Sequence, residues 1–125
     1  MNKPFFSLVT VCFNAERSIA NSLQSAREQT CHDFENVVVD GASTDGTMDV
    51  VHHFDDLPLV ISSEPDQGIY DAMNKGLGYA TGDIVCFLNA DDAYADPEVL
   101  SRVAHEMQQY GLDALFGDVV FFNPC

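Results

Sequence analysis

Apolar and polar positions along this chain fall into blocks whose period switches between that of a strand and that of a helix. Phe5 to Cys12 is rich in Phe, Val and Thr and predicts a first strand. Ile19, Leu23 and Ala26 then recur at helical spacing, which predicts a helix from Ala15 to about Gln29 with Asn14 as its cap. Phe34 to Val39 predicts a second strand, closing on Asp40. A polar turn, Gly41-Ala42-Ser43-Thr44-Asp45-Gly46, leads into a helix through Val50, Val51 and Phe54. Pro58 opens a third strand through Leu59, Val60 and Ile61. A helix over Gly68–Ala80, a strand over Ile84–Leu88 and a helix over Pro97–Tyr110 follow. Asp113 to Phe122 predicts a last strand, bent at Gly117. Strands alternating with helices imply an α/β fold with a mostly parallel sheet and right-handed crossovers. A chain of 125 residues buries one core, not two, and it carries no repeat or linker.

The richest segment runs from Ser63 to Asp92. Ile84, Val85, Cys86, Phe87 and Leu88 form a continuous β-prone run, the pattern of a strand buried on both faces. Asn89, Ala90, Asp91 and Asp92 sit where that strand emerges at the carboxyl edge of the sheet, the edge at which open α/β sheets bind ligands. Asn14, Asp40 and Asp91 all follow strand ends, so they are expected on one rim. Two adjacent acids there repel one another unless a cation lies between them and a ligand. The glycines after the second strand allow a ligand ring to approach the backbone. Asp40 can accept from an N–H of a pyrimidine base, or it can close a capping turn with Ser43 and Asp45.

Charge narrows the partners. Five Lys and Arg stand against twenty Asp and Glu, a formal net charge of −15. No basic face is present to neutralise nucleic-acid phosphates, which excludes nucleic acid as a partner. A nucleotide diphosphate would need a metal to bridge it to the protein's carboxylates. Cys12, Cys31, Cys86 and Cys125 show no CxxC pairing and read as reduced, cytoplasmic thiols. Neither a secretory signal nor a membrane-spanning run is legible, which leaves peripheral attachment to a membrane open. His52 and His53 read as surface histidines, Tyr70 and Met73 as core, and Lys75 as a solvated cation.

Four segments, SLVTVCFNAERSIANSLQS, VVVDGASTDGT, EPDQGIYDAMNKG and TGDIVCFLNADD, occur in that order across nearly the whole chain. Together they resemble the family 2 glycosyltransferases of the GT-A fold, of the kind that builds bacterial exopolysaccharide, capsule or lipopolysaccharide. The resemblance implies a Rossmann-like nucleotide-sugar-binding fold, inverting sugar transfer, and an Asp-x-Asp site that uses Mn²⁺ or Mg²⁺. The donor would be a nucleotide-diphosphate sugar and the acceptor a glycan or a lipid-linked molecule, at the inner face of the cytoplasmic membrane. Thr10 to Asn14, Cys12 included, would line the nucleotide, and Asp40 would contact the base, uracil or guanine. Asp66 and Gln67 would approach the base or ribose. Asn89, Ala90 and Asp91 occupy the Asp-x-Asp positions, with Asp92 next. Asn89 replaces the first acid with an amide that binds ribose hydroxyls but brings no charge, so the metal role falls to Asp91 and Asp92.

In the resembling family the catalytic base lies well downstream of Asp-x-Asp. Cys125 follows Asp92 closely, so residues 1–125 are expected to be the nucleotide-sugar-binding portion of a truncated domain. That expectation extends to uncovered apolar surface at Val119, Val120, Phe121 and Phe122 and to self-association through this strand. Asp118 is a candidate acid behind the site, with a surface or strand-end Asp as the alternative reading. A nucleotidyltransferase would carry a Gly-rich, basic loop where this chain has VCFNAERS. A receiver domain would place its acids at the end of the first strand. A fragment that binds nucleotide without turnover is the third alternative.

Overall fold

The apolar run at Phe6–Cys12 becomes β1, and all seven of its residues are buried. Phe34–Asp40 becomes β2 and is buried throughout as well. Two such runs are what parallel strands covered on both faces require. In the computed structural model, which describes residues 3–110, they form the interior of a four-stranded sheet ordered β3-β2-β1-β4. The flanking strands are β3 (Leu59–Ser63) and β4 (Ile84–Phe87), and every pairing is parallel. The connecting helices are α1 (Ile19–Arg27), α2 (Thr47–His52) and α3 (Ile69–Tyr79), and α4 (Val99–Tyr110) follows β4. The α/β class, the parallel pairing and the adjacency of the first, second and Ile84 strands are as expected from the sequence.

Side chains of a strand alternate between faces, which divides the core in two. Phe6, Leu8 and Val38 pack with Ile19, Leu23 and Ala26 of α1, with Val51, and with Leu100 of α4. Val9, Val11, Val37 and Val39 pack on the other face with Ala72 and Met73 of α3. Register places Cys12 opposite Asp40 and Asp40 opposite Ser63, so three strand ends finish level with one another.

Three expectations change. Helix α1 begins at Ile19 rather than Ala15, because Asn14 has φ of 48° and so lacks the extended backbone of an N-cap. The Ile84 strand pairs only with β1 among the described residues, and Phe87 is left 42% exposed. Tyr70 is 80% exposed on the outer side of α3, so only Met73 of that pair joins the core. Cys12, Cys31 and Cys86 are free thiols, Cys12 being buried. The expected last strand, with Asp118, Cys125 and the Val119–Phe122 run, lies outside the described residues.

At the edge opposite the acidic rim, a buried carboxylate ties β1 and β2 to the start of β4. Ser7 Oγ donates to Glu35 Oε2 (2.6 Å), as do Thr81 N (2.8 Å) and Thr81 Oγ1 (3.0 Å). Gly82 N in turn donates to Ser7 Oγ (2.8 Å). Burial alone would push the Glu35 carboxyl up, but the donors from Ser7 and Thr81 outweigh it and hold the group below its ordinary value. A carboxyl depressed on folding contributes stability above its unfolded value of about 4.3, and that contribution is lost as pH falls through the folded value. Glu35→Ala is expected to cost about 2 kcal/mol at pH 7, because it leaves buried donors without an acceptor. Urea denaturation at pH 7 and pH 3 checks this, since the gap between wild type and variant should narrow at the lower pH. A gap that is equal at both values counts against the carboxylate.

Candidate functional site

The rim at the carboxyl ends of β1 and β4 opens into a cleft. Pairing with β1 continues past the end of β4, where Leu88 N donates to Val9 O (2.9 Å) and Ala90 N to Val11 O (3.2 Å). This continuation delivers Asn89, Ala90 and Asp91 beside Cys12, Phe13 and Asn14. The opposite wall comes from the turn before α3 and the helix start, with Asp66, Gly68 and Ile69. Asp66 and Asp91 are the charged residues of this lining, which includes no Lys or Arg.

Two loops are laced together behind the cleft. Asn14 Oδ1 accepts from Thr44 N (2.8 Å), and Asn14 N donates to Ser43 Oγ (2.8 Å). Ala15 N donates to Thr47 Oγ1 (2.8 Å), and Asp45 Oδ1 accepts from Thr47 N (3.0 Å) at the start of α2. Asparagine is one of the few residues that tolerates a left-handed backbone, which explains its place at this crossing. Asp45 therefore acts as the turn-capping reading has it.

Cys12, Asn14, Asp66, Asn89 and Asp91 line the cleft, whereas Thr10 and Asp40, also expected at the nucleotide, do not. Thr10 is 3% exposed within β1. Asp40 is 1% exposed and already accepts from Ser43 N (3.0 Å), Ser43 Oγ, Ser63 Oγ (2.7 Å) and Cys12 Sγ (3.5 Å). Burial pushes the Asp40 carboxyl up, but these donors outweigh it and hold it below its ordinary value. A base N–H would have to displace donors that the fold supplies. Burial, with the Asp40 charge beside it, pushes the Cys12 thiol up to about 12, so Cys12 lines the cleft as a neutral thiol.

Asp66 is the cleft acid whose placement the sequence leaves least defined. Its Oδ1 accepts from Gly68 N (3.0 Å). Gly68 has φ of 116°, a backbone open to glycine at little cost. Lys75 braces the same turn and is not the solvated cation expected: its Nζ donates to Pro65 O (2.9 Å) and pairs with Glu64 (3.2 Å) and Asp71 (3.7 Å). The space over the turn glycines, expected to admit a ligand ring, is taken by the Asp66 carboxylate at Gly41 and by Glu16 at Gly46.

Asp91 faces the cleft, while Asp92 is exposed beside it and outside the lining. Desolvation and then the Asp91 charge push the Asp92 carboxyl above its ordinary value. Among the described residues no group of three or more His, Cys, Asp or Glu gathers as a metal site. A donor set of one or two carboxylates suits Mg²⁺ or Mn²⁺ held jointly with substrate phosphates, a mode that needs no cage of protein ligands. The residues present fit a cation of that kind. His52 and His53 are exposed at the end of α2, outside the cleft lining.

Residues 7–125 match the profile of the family described as "Glycosyl transferase family 2". The chain is 40% identical to a "PGL/p-HBAD biosynthesis glycosyltransferase" of Mycobacterium bovis (strain BCG / Pasteur 1173P2), an alignment covering 96% of this chain and 48% of that protein. It thus spans about half the length of the curated relatives it matches. S. aureus TarS 1-349 in complex with UDP-GlcNAc superposes with a TM-score of 0.81 at 31% identity, over 85% of this chain and 32% of that one. The mannosyltransferase PcManGT from Pyrobaculum calidifontis, in complex with GDP-Man and Mn²⁺, superposes with a TM-score of 0.77 at 31% identity, over 86% of this chain and 33% of that one.

Proposed function

The chain belongs to glycosyl transferase family 2, and from that premise we propose that residues 1–125 form the donor-binding portion of a glycosyltransferase that uses a nucleotide-diphosphate sugar. The observation that carries this reading is the cleft at the ends of β1 and β4, lined by Asp66, Asn89 and Asp91 with no Lys or Arg. An anionic diphosphate enters such an acidic cleft only with a cation. The nucleotide sugars held by TarS and PcManGT, and the Mn²⁺ with the latter, support the same assignment.

Asp91 would hold the divalent ion, with Asp92 next to it, and Asn89 would bind a ribose hydroxyl through its amide. Asp66 would accept from an N–H or O–H of the nucleoside. When bound, the cation would neutralise charge developing on the departing diphosphate. Transfer would proceed by displacement with inversion at the anomeric carbon, as a carboxylate base takes the proton of the acceptor hydroxyl. The acceptor would be a glycan or a lipid-linked molecule of a surface polysaccharide. Among the described residues no helix is long and apolar enough to cross a membrane.

A thermal-shift panel of UDP, GDP and their sugars, with and without Mn²⁺, tests the reading. Ligand at a hundredfold excess over its dissociation constant stabilises the native state by about 2.7 kcal/mol. A rise in melting temperature is expected only when nucleotide and metal are present together. An equal rise in EDTA, or none with any nucleotide, overturns the assignment.

A further inference from the structure

Gly41 is the first residue past β2, and its N–H donates to Cys12 O (3.0 Å), which fixes its backbone against β1. Its φ is not in the positive region, where among the described glycines only Gly68 lies. Glycine is therefore not needed at this position for its conformational freedom. Space is the constraint. A Cβ built on Gly41 would stand 2.7 Å from Asp66 Oδ2 and 3.2 Å from Asp66 Cγ. Carbon atoms attract at about 3.5–4.0 Å, and a carbon–oxygen approach of 2.7 Å is repulsive.

The Asp66 carboxylate thus rests directly on the bare Cα of Gly41. One oxygen is tethered to Gly68 N (3.0 Å). The other receives no hydrogen bond from the described residues, although the side chain lines the cleft. The turn beneath is held by Lys75 through Pro65 O and Glu64. A half-tethered carboxylate on a braced turn is a ready acceptor for one ligand donor.

We propose that Gly41 is a positioning residue for donor recognition: its missing side chain seats the Asp66 carboxylate in the cleft wall, with Oδ2 free to accept from the nucleoside. The proposal rests on the donor reading above and assigns it a second position, one that touches no ligand. Asp66 has a short side chain that can swing aside, so a methyl at Gly41 displaces the carboxylate while the backbone keeps its fold.

The experiment titrates UDP and GDP, each with Mn²⁺, into the wild-type chain, Gly41→Ala, Asp66→Ala and the double variant by calorimetry. Gly41→Ala is expected to weaken binding about tenfold, the size of one hydrogen bond to a charged acceptor, with its melting temperature unchanged. The same substitution in the Asp66→Ala background, where the methyl has room, should add nothing. The amide proton of Gly68 should shift in Gly41→Ala without any nucleotide, because its bond to Oδ1 is disturbed. Wild-type affinity in Gly41→Ala, or an equal loss with Asp66 absent, overturns the proposal. A wild-type chain that binds neither nucleotide overturns the donor reading itself, and the proposal with it.

Discussion

Asp91→Asn is expected to abolish most nucleotide binding, lowering affinity on the order of a hundredfold or about 2.7 kcal/mol. The cleft offers the diphosphate no Lys or Arg among its lining residues, and the chain carries a formal charge of −15. On the proposed donor reading, phosphate and protein would therefore share a cation. Asn89 supplies no charge at the first position of the acidic motif, so Asp91 is the carboxylate that faces the cleft beside it. Converting it to an amide keeps the shape and removes the charge that would hold the ion. Asp92→Asn should weaken binding less, because Asp92 lies outside the lining. Calorimetry with UDP or GDP in Mn²⁺ measures both variants. Wild-type affinity in Asp91→Asn would remove the metal from this strand end, as would undiminished binding of the unaltered chain in EDTA.

What the sequence reveals and what it hides follow from the range of each interaction. Phe6–Cys12 and Phe34–Asp40 are legible because an interior parallel strand is apolar along its whole length. The same rule misjudges Ile84–Phe87, since an apolar run does not state how many neighbours pair with it. Asn14 has the composition of a helix cap, yet its left-handed backbone and its bonds to residues 43 and 44 depend on a loop far away in sequence. Tyr70 has core-like spacing with Met73, but a helix on a sheet has one inward stripe, and Tyr70 lies off it. The place of Asp66 was legible only as the turn before a helix. Its contact with Gly41 crosses two strand ends, and the one local hint was a glycine directly after Asp40.

Asp40 shows the same limit, and its substitution should be the most destabilising at the rim. Asp40→Ala is expected to cost about 3 kcal/mol at pH 7, from the loss of charge-assisted bonds and the stranding of their donors. Four donors from β1, β3 and the following turn converge on this carboxylate, whose residue is 1% exposed. Ser43 Oγ also accepts from Asn14 N, so releasing Ser43 loosens a residue that lines the cleft. Nucleotide binding should therefore weaken as well, through the moved wall and with the metal requirement intact. Asp40→Asn should cost less, because one oxygen still accepts while the amide faces donors it cannot pair with. The carboxyl is held below its ordinary value, so its contribution is present above the unfolded value of about 3.9 and lost as pH falls through the folded one. Denaturant unfolding from pH 7 down to pH 3 should show the wild-type advantage over Asp40→Ala shrinking only at the acid end. A stable Asp40→Ala chain that has lost nucleotide affinity outright would return this residue to direct contact with the base.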